Sequence, residues 1–195
     1  MGFQISLGLP DAMRDQAAAL YWEAFGGKLG RVMGPDKLAL AFLADALCAD
    51  HALVACNHRG RLLGIAGFKS YDGSFAGGDV TDMRRVYGRW GAAWRAGLLW
   101  LLQREVDNDR FLLDGICVAR EARSQGIGSA LMLAMFDEAR ARGYSAIRLD
   151  VIDTNWRARA LYERLGFQAL RVDKMGPLGL IFGFSSSTTM VRNLE

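Results

Sequence analysis

The stretch Leu113-Asp114-Gly115-Ile116-Cys117-Val118, followed after a short link by Arg123-Ser124-Gln125-Gly126-Ile127-Gly128, decides how this chain is read. The first segment is an apolar run bounded by polar residues, which predicts a buried strand over Phe111 to Val118. The second leads into Ser129 to Arg142, whose apolar spacing predicts a helix, with Gly143 as its C-terminal stop. Gly126 and Gly128 allow a tight turn and let the backbone approach a ligand with no Cβ in the way. Free N–H groups at a helix start, with the aligned peptide dipoles behind them, favour an anion such as a pyrophosphate. Arg123 adds positive charge. Two familiar phosphate loops are excluded: Ser129-Ala130 does not supply the Lys and Ser/Thr of a Walker loop, and Leu131 stands where a dinucleotide fingerprint needs Gly or Ala. The competing reading is a plain strand-to-helix turn.

Further along, Ala146 to Ile152 reads as a strand carrying Leu149-Asp150-Val151. Asn155 to Leu165 reads as a helix ended by Gly166, and Ala160-Leu161-Tyr162-Glu163-Arg164-Leu165-Gly166-Phe167 closes it. The R-x-x-G-x-G turn resembles the acyl-CoA pyrophosphate loop of the GNAT (Gcn5-related N-acetyltransferase) family. The later stretch is similar to that family's "N…A…LYE..GF" signature. The matched region, about residues 111 to 168, is under a third of the chain.

The resemblance implies an α/β GNAT fold: a mixed, mostly antiparallel sheet with helices on both faces. Its one parallel pair, Phe111–Val118 and Ala146–Ile152, would splay apart. Acetyl-CoA is the implied co-substrate. Its pantetheine arm would lie in the gap against backbone groups of Ile116, Cys117 and Val118, with the Val118 N–H polarising the thioester carbonyl. Arg123, Ser124, Gln125, Gly126, Ile127, Gly128 and Ser129 would wrap the pyrophosphate. Asn155 would offer its amide to the pantetheine, and Tyr162 would serve the departing thiolate. Helical geometry agrees, since a spacing of seven puts both on one face, about 10 Å apart. Plainer roles compete: a core aromatic for Tyr162 and a helix N-cap for Asn155.

An acceptor amine must lose a proton before it attacks. By resemblance, Asp150 stands where ribosomal-protein alanine acetyltransferases carry a glutamate base. Asp114 on the neighbouring strand is the rival, and a water relay is the third option. Both carboxylates sit among apolar residues, where a charge is costly unless partnered or at a cleft.

The rest of the chain sets the frame. Its 195 residues suit one compact domain, 1–195. Hydrophobic residues make up 51% and charged residues 23%, enough for a sizeable core. A net charge of +3 lacks the dense basic stripe usual for a nucleic-acid binder and decides little by itself, fitting a site for polyanionic CoA equally well; no nucleic-acid partner is expected. Three cysteines in no motif (Cys48, Cys56, Cys117) predict neither a metal site nor a disulfide framework, and a reducing cytoplasm is the expected setting. The N-terminus lacks a signal-peptide pattern, and the most apolar stretch, Ala96 to Leu102, is too short to span a bilayer.

Before the decisive stretch, Phe3 to Leu7 predicts a strand and Pro10-Asp11 opens a helix that Gly26-Gly27 should end. A second helix runs from Pro35-Asp36 to about Ala49, and Ala52 to Cys56 with Leu62 to Phe68 form a hairpin. His51 and His58 border that hairpin and are expected at the surface. Phe167 to Val172 and Thr188 to Arg192 are the last strands. The unusual feature is an insertion of about forty residues, Ser70 to Arg110, expected to be largely helical. Its stripe of Val86, Tyr87, Trp90, Trp94, Leu98, Leu101 and Leu102 predicts Trp90 and Trp94 buried, against the core or a partner subunit, which leaves a homodimer open. Gly88, Gly91 and Gly97 predict a break or very close packing there.

The expected function is N-acetyl transfer from acetyl-CoA to an amine by direct attack in a ternary complex. A catalytically silent acyl-CoA-binding regulator is the alternative. No segment carries a signature for a particular acceptor.

Overall fold

The computed structural model describes residues 2–102 and 110–194. Its centre is a sheet ordered β1 (Phe3–Leu7), β2 (Ala52–Asn57), β3 (Leu62–Ser70), β5 (Phe111–Val118), β6 (Ala146–Ile152), β8 (Ser186–Asn193) and β7 (Gln168–Lys174). A two-residue β4 (Gly73–Ser74) lies beside β3. Neighbours run antiparallel except β5 and β6, which run parallel. The fold class expected from the chain is the one observed.

Strand alternation tells which helices cover which face. Gly115 of β5 and Gly67 of β3 are cross-strand partners and so share a face. A Cβ on Gly115 would strike Phe25 and Tyr21 of α1 (Arg14–Met33). Gly64 is three residues from Gly67 and faces the other way, where a Cβ would meet Ile127 and Leu131 of α4 (Ile127–Ala141). Helix α5 (Trp156–Arg164) lies with α4, since Leu161 sits 3.4 Å from the Cβ position of Gly128. Between sheet and α4 lies a core in which Phe68, Phe111, Leu131, Met135, Phe136 and Ile147 are fully buried. Each such side chain contributes roughly 1.5–3 kcal/mol by leaving water.

Three expectations about the first half need correction. Helix α1 passes straight through Gly26-Gly27 and ends only at Met33. Its interior glycines, Gly26, Gly27 and Gly30, cost about 1 kcal/mol each, which the burial of Val32 and Met33 offsets. Pro35 then prevents continuation, lacking an N–H, and starts α2 (Asp36–Ala46). Secondly, His51 is buried, its Nε2 hydrogen-bonded with Ser70 Oγ at 3.1 Å and its ring against Phe68.

The third concerns α3 (Val80–Leu102), in the insertion whose residues 103–109 lie outside those described. Gly88 breaks the helix, with φ 71° and ψ 173°. Before the break Met83, Val86 and Tyr87 pack inward; after it Ala92, Ala96 and Leu99 do. The kink resets the phase, so Trp90 and Trp94 are 90% and 46% exposed rather than buried. Arg95 stacks between the Tyr87 and Trp94 rings and donates to Gly34 O and Gly91 O, tying α3 to the end of α1.

Candidate active site

The sheet opens where its parallel pair begins. Strands β5 and β6 are in register only at Phe111↔Ile147 and Leu112↔Arg148, and beyond those rungs they part. On its other edge β5 stays paired with β3 as far as Val118. The register of that pairing shifts between Gly67 and Phe68, leaving Asp114 as an extra residue on β5; such bulges re-aim a strand. The Ala119 N–H bonds Leu63 O on β3. The Val118 carbonyl therefore points away from β3, and alternation turns the backbone groups of Ile116 and Val118 to the gap. Cys117 turns its own to β3, and its side chain is buried.

At the mouth of the gap, the loop after β5 runs into α4. Gly126 takes φ 80° and Ser124 φ 62°, both in the left-handed region. The first turn of α4 contains no acidic residue, and no side chain caps it. Its N–H groups are thus left to an outside acceptor, with the helix dipole favouring an anion. A Cβ on Gly126 would meet nothing within 4 Å, so the loop borders open space. Arg123 donates from Nε to Val118 O at 3.0 Å and lies 3.6 Å from Glu23 of α1, which also holds Arg120 at 2.7 Å. Gln125 donates to Glu121 O at 3.0 Å, bracing the turn. An extended gap ending at a bare helix N-terminus fits a long ligand with a pyrophosphate in its chain, as acetyl-CoA is.

On the α5 side, Asn155 accepts from Ala158 N–H at 3.2 Å and is the N-cap of α5. The cap uses its carbonyl oxygen and leaves the amide donors for other work. Tyr162 is 5% exposed and packs against Phe167. Burial raises its pKa well above the ordinary phenol value, and the nearby Cys117 raises it further.

The two candidate bases differ in setting. Asp114 receives Ser74 Oγ at 3.3 Å and Ala76 N–H at 3.0 Å on one oxygen, with Lys69 Nζ 3.9 Å from the other. It thus fastens the β4 turn to β5, and its side chain is 14% exposed. Asp150 accepts from the Thr189 hydroxyl across the β6–β8 ladder and from Arg148 at 3.3 Å, yet stays 39% exposed. Two further side chains belong to this region. Tyr21 of α1 is buried, its pKa raised first by burial and then by Asp114 and Cys117. The other is Arg148, buried on β6 beside Asp150. Neither stands in a motif, so only their neighbours reveal them.

The acetyltransferase (GNAT) family pattern matches residues 14–167 of the chain. The chain belongs to the GNAT acetyltransferase family. Camello of Xenopus tropicalis is 41% identical over 66 residues, which span 34% of this chain and 30% of camello. The ribosomal-protein-S18-alanine N-acetyltransferase of Escherichia coli superposes with a TM-score of 0.57 at 18% identity, covering 100% of this chain and 95% of that one. The yncA protein of Salmonella typhimurium, solved with its cofactor acetyl-CoA, gives a TM-score of 0.59 at 16% identity over 100% and 95%. At such identities these structures speak for the GNAT fold alone. Among the described residues no group of His, Cys, Asp and Glu is placed to hold a metal, and no helix is long and apolar enough to cross a membrane.

Proposed function

We propose that this GNAT protein is an N-acetyltransferase that moves the acetyl group of acetyl-CoA to an amine by direct attack in a ternary complex. The observation that carries the reading is the parting of β5 and β6 beyond Leu112 and Arg148, onto an α4 start bare of acidic residues. Acetyl-CoA supplies an activated acyl group as a thioester; the rest is the work of this chain. The loop from Ser124 to Ser129 gives N–H groups to the pyrophosphate, and Arg123 adds charge. Ile116 and Val118 offer their backbone to the pantetheine arm, with Cys117 filling the core between them, and Asn155 adds its amide. The Val118 N–H donates to the thioester carbonyl, stabilising charge as it develops there. Tyr162 donates to the sulfur as it departs.

An amine with a pKa near that of lysine, about 10.4, arrives protonated at neutral pH and needs a base. Asp150 is the better candidate, being the more open to solvent. Asp114 is committed to the β4 turn. The test is release of CoA thiol against a panel of amines, including free amino acids, peptides with free N-termini, polyamines and aminoglycosides. We expect amine-dependent release, with Asp150→Asn depressing the rate at neutral pH and leaving acetyl-CoA affinity nearly intact. If Asp114→Asn does this instead, the base is Asp114. Acetyl-CoA binding without thiol release for any amine would defeat the turnover.

A further inference from the structure

Arg148 has almost nothing to hold. It sits on β6 with 7% exposure, donates to Asp150 Oδ2 at 3.3 Å, and donates to no other group among the described residues. Its Nε is buried without a partner. A guanidinium carries five N–H donors; one terminal nitrogen meets Asp150, while the Nε–H is buried with no partner, which is unfavourable away from water. Arg95 is the useful contrast. Its Nε is also buried and unpartnered, but its terminal nitrogens reach two carbonyls and its plane lies between two aromatic rings. Arg95 is a clamp. Among the described residues Arg148 holds only the carboxylate proposed as the base.

Its position gives that vacancy a meaning. Leu112↔Arg148 is the last rung before β5 and β6 part, so Arg148 lies at the closed end of the gap. Asp150 is two residues further toward the open end on the same face. Ile152 continues that face into a cluster with Val32 of α1, Leu98 and Leu99 of α3, and Phe182 of α6 (Gly179–Phe182). This is the side away from α4 and α5, hence away from Tyr162 and the phosphate loop. An acceptor approaching from here would meet Asp150 and Arg148 together, one negative and one positive, 3.3 Å apart.

We infer that Arg148 selects the acceptor, and that the acceptor is an amine with a carboxylate on the neighbouring carbon, as in a free α-amino acid. The inference rests on the acetyl-transfer reading above. Such a zwitterion presents the opposite pair of charges at comparable spacing: its ammonium faces Asp150, which takes the proton, and its carboxylate satisfies Arg148. The amine nitrogen then forms a bond to the acetyl carbon as the bond from that carbon to sulfur breaks; the second proton on nitrogen passes to the departing sulfur, and CoA leaves beside Tyr162 as the thiol. Polyamines, aminoglycosides and peptide N-termini bring no carboxylate next to the amine and leave Arg148 unpaired.

The experiment compares L-phenylalanine, L-leucine, L-methionine and L-lysine with their α-carboxamides in thiol release. The amides have less basic amines and start with the advantage at neutral pH, so a preference for the acids cannot come from amine ionisation. We expect the acids to lead by about 10- to 100-fold in kcat/KM, the worth of a hydrogen bond to a charged group. In Arg148→Gln that ratio should fall toward one, and Arg148→Lys should keep part of it, while acetyl-CoA affinity by calorimetry stays unchanged in both. Should the Gln variant fail to fold, the Lys variant carries the comparison. A second arm needs no turnover: binding of the N-acetyl amino acids and the N-acetyl amides to the CoA-loaded protein, where the acids should bind more tightly. Equal handling of acids and amides, a parallel loss of both in the variants, or no binding and no turnover of the acids overturns the inference. Failure of acetyl-CoA itself to bind overturns the acetyl-transfer reading instead.

Discussion

Tyr162 is one side chain whose chemistry is set by what surrounds it. Burial holds its phenol protonated well beyond the ordinary range, which makes it a poor source of a whole proton. As a hydrogen-bond donor it suffers nothing, because burial keeps the hydroxyl protonated at neutral pH. A thiolate whose conjugate acid has a pKa near 8.5 needs charge stabilisation more than full protonation as it leaves. Tyr162→Phe keeps the ring against Phe167 and deletes the donor. We expect kcat to fall by roughly 10²–10⁴-fold with acetyl-CoA affinity little changed, because the bond strengthens mainly in the transition state. Wild-type turnover in the Phe variant, with chemistry rate-limiting, would make Tyr162 a core aromatic and nothing more. Asn155, as an N-cap, shows that a residue picked out by a motif can hold its helix and still have donors to spare.

Two glycines carry the argument at the level of elements. Gly126 starts α4 at φ 80° with open space where a side chain would stand. Gly126→Val would strain the backbone by about 1–2 kcal/mol and put a branched side chain where phosphate oxygens are proposed to sit. Acetyl-CoA affinity should drop by about tenfold or more, the loss of one hydrogen bond to a charged group, with the circular-dichroism spectrum preserved. Unchanged affinity in the folded variant would remove the loop assignment. Gly88 holds a conformation, φ 71° and ψ 173°, that essentially only glycine adopts. Gly88→Ala should lower the unfolding free energy by roughly 1–3 kcal/mol, read from denaturant midpoints at constant slope; an unshifted midpoint would mean the kink is not required. The kink is also why the helical stripe misplaced Trp90 and Trp94. Periodicity predicts a face only while phase is kept, and one residue outside helical space moves Trp90 and Trp94 from inside to outside. The same limit applies to α1, where local glycine cost pointed to an end and distant burial carried the helix on.

Taken as a whole, the molecule couples its buried phenols to its stability. Tyr21 and Tyr162 both have raised folded-state pKa values, chiefly through burial. The folded protein therefore holds these protons more tightly than the unfolded chain, whose tyrosines ionise near pH 10. Their contribution is complete below that pH and is lost as pH rises above it. Melting temperature should fall between about pH 9.5 and 11, and Tyr162→Phe should flatten the decline; an equal slope in the variant would dissociate this tyrosine from alkaline unfolding. Much of the architecture was legible along the chain, because strand alternation, glycine turns and the helix N-cap are local: β1, β5, β6 and the start of α4 fall within a residue or two of expectation. The GNAT resemblance rested on the same short-range features. What the chain could not announce are the groups brought together across it. Arg148 lies in an apolar strand with no motif around it, and Asp114 and Asp150 look alike in sequence. Only the packed sheet separates them, fastening Asp114 to the β4 turn while leaving Asp150 beside Arg148. Hydrogen-bond partners and burial are properties of neighbours in space, and those neighbours are far apart in the chain.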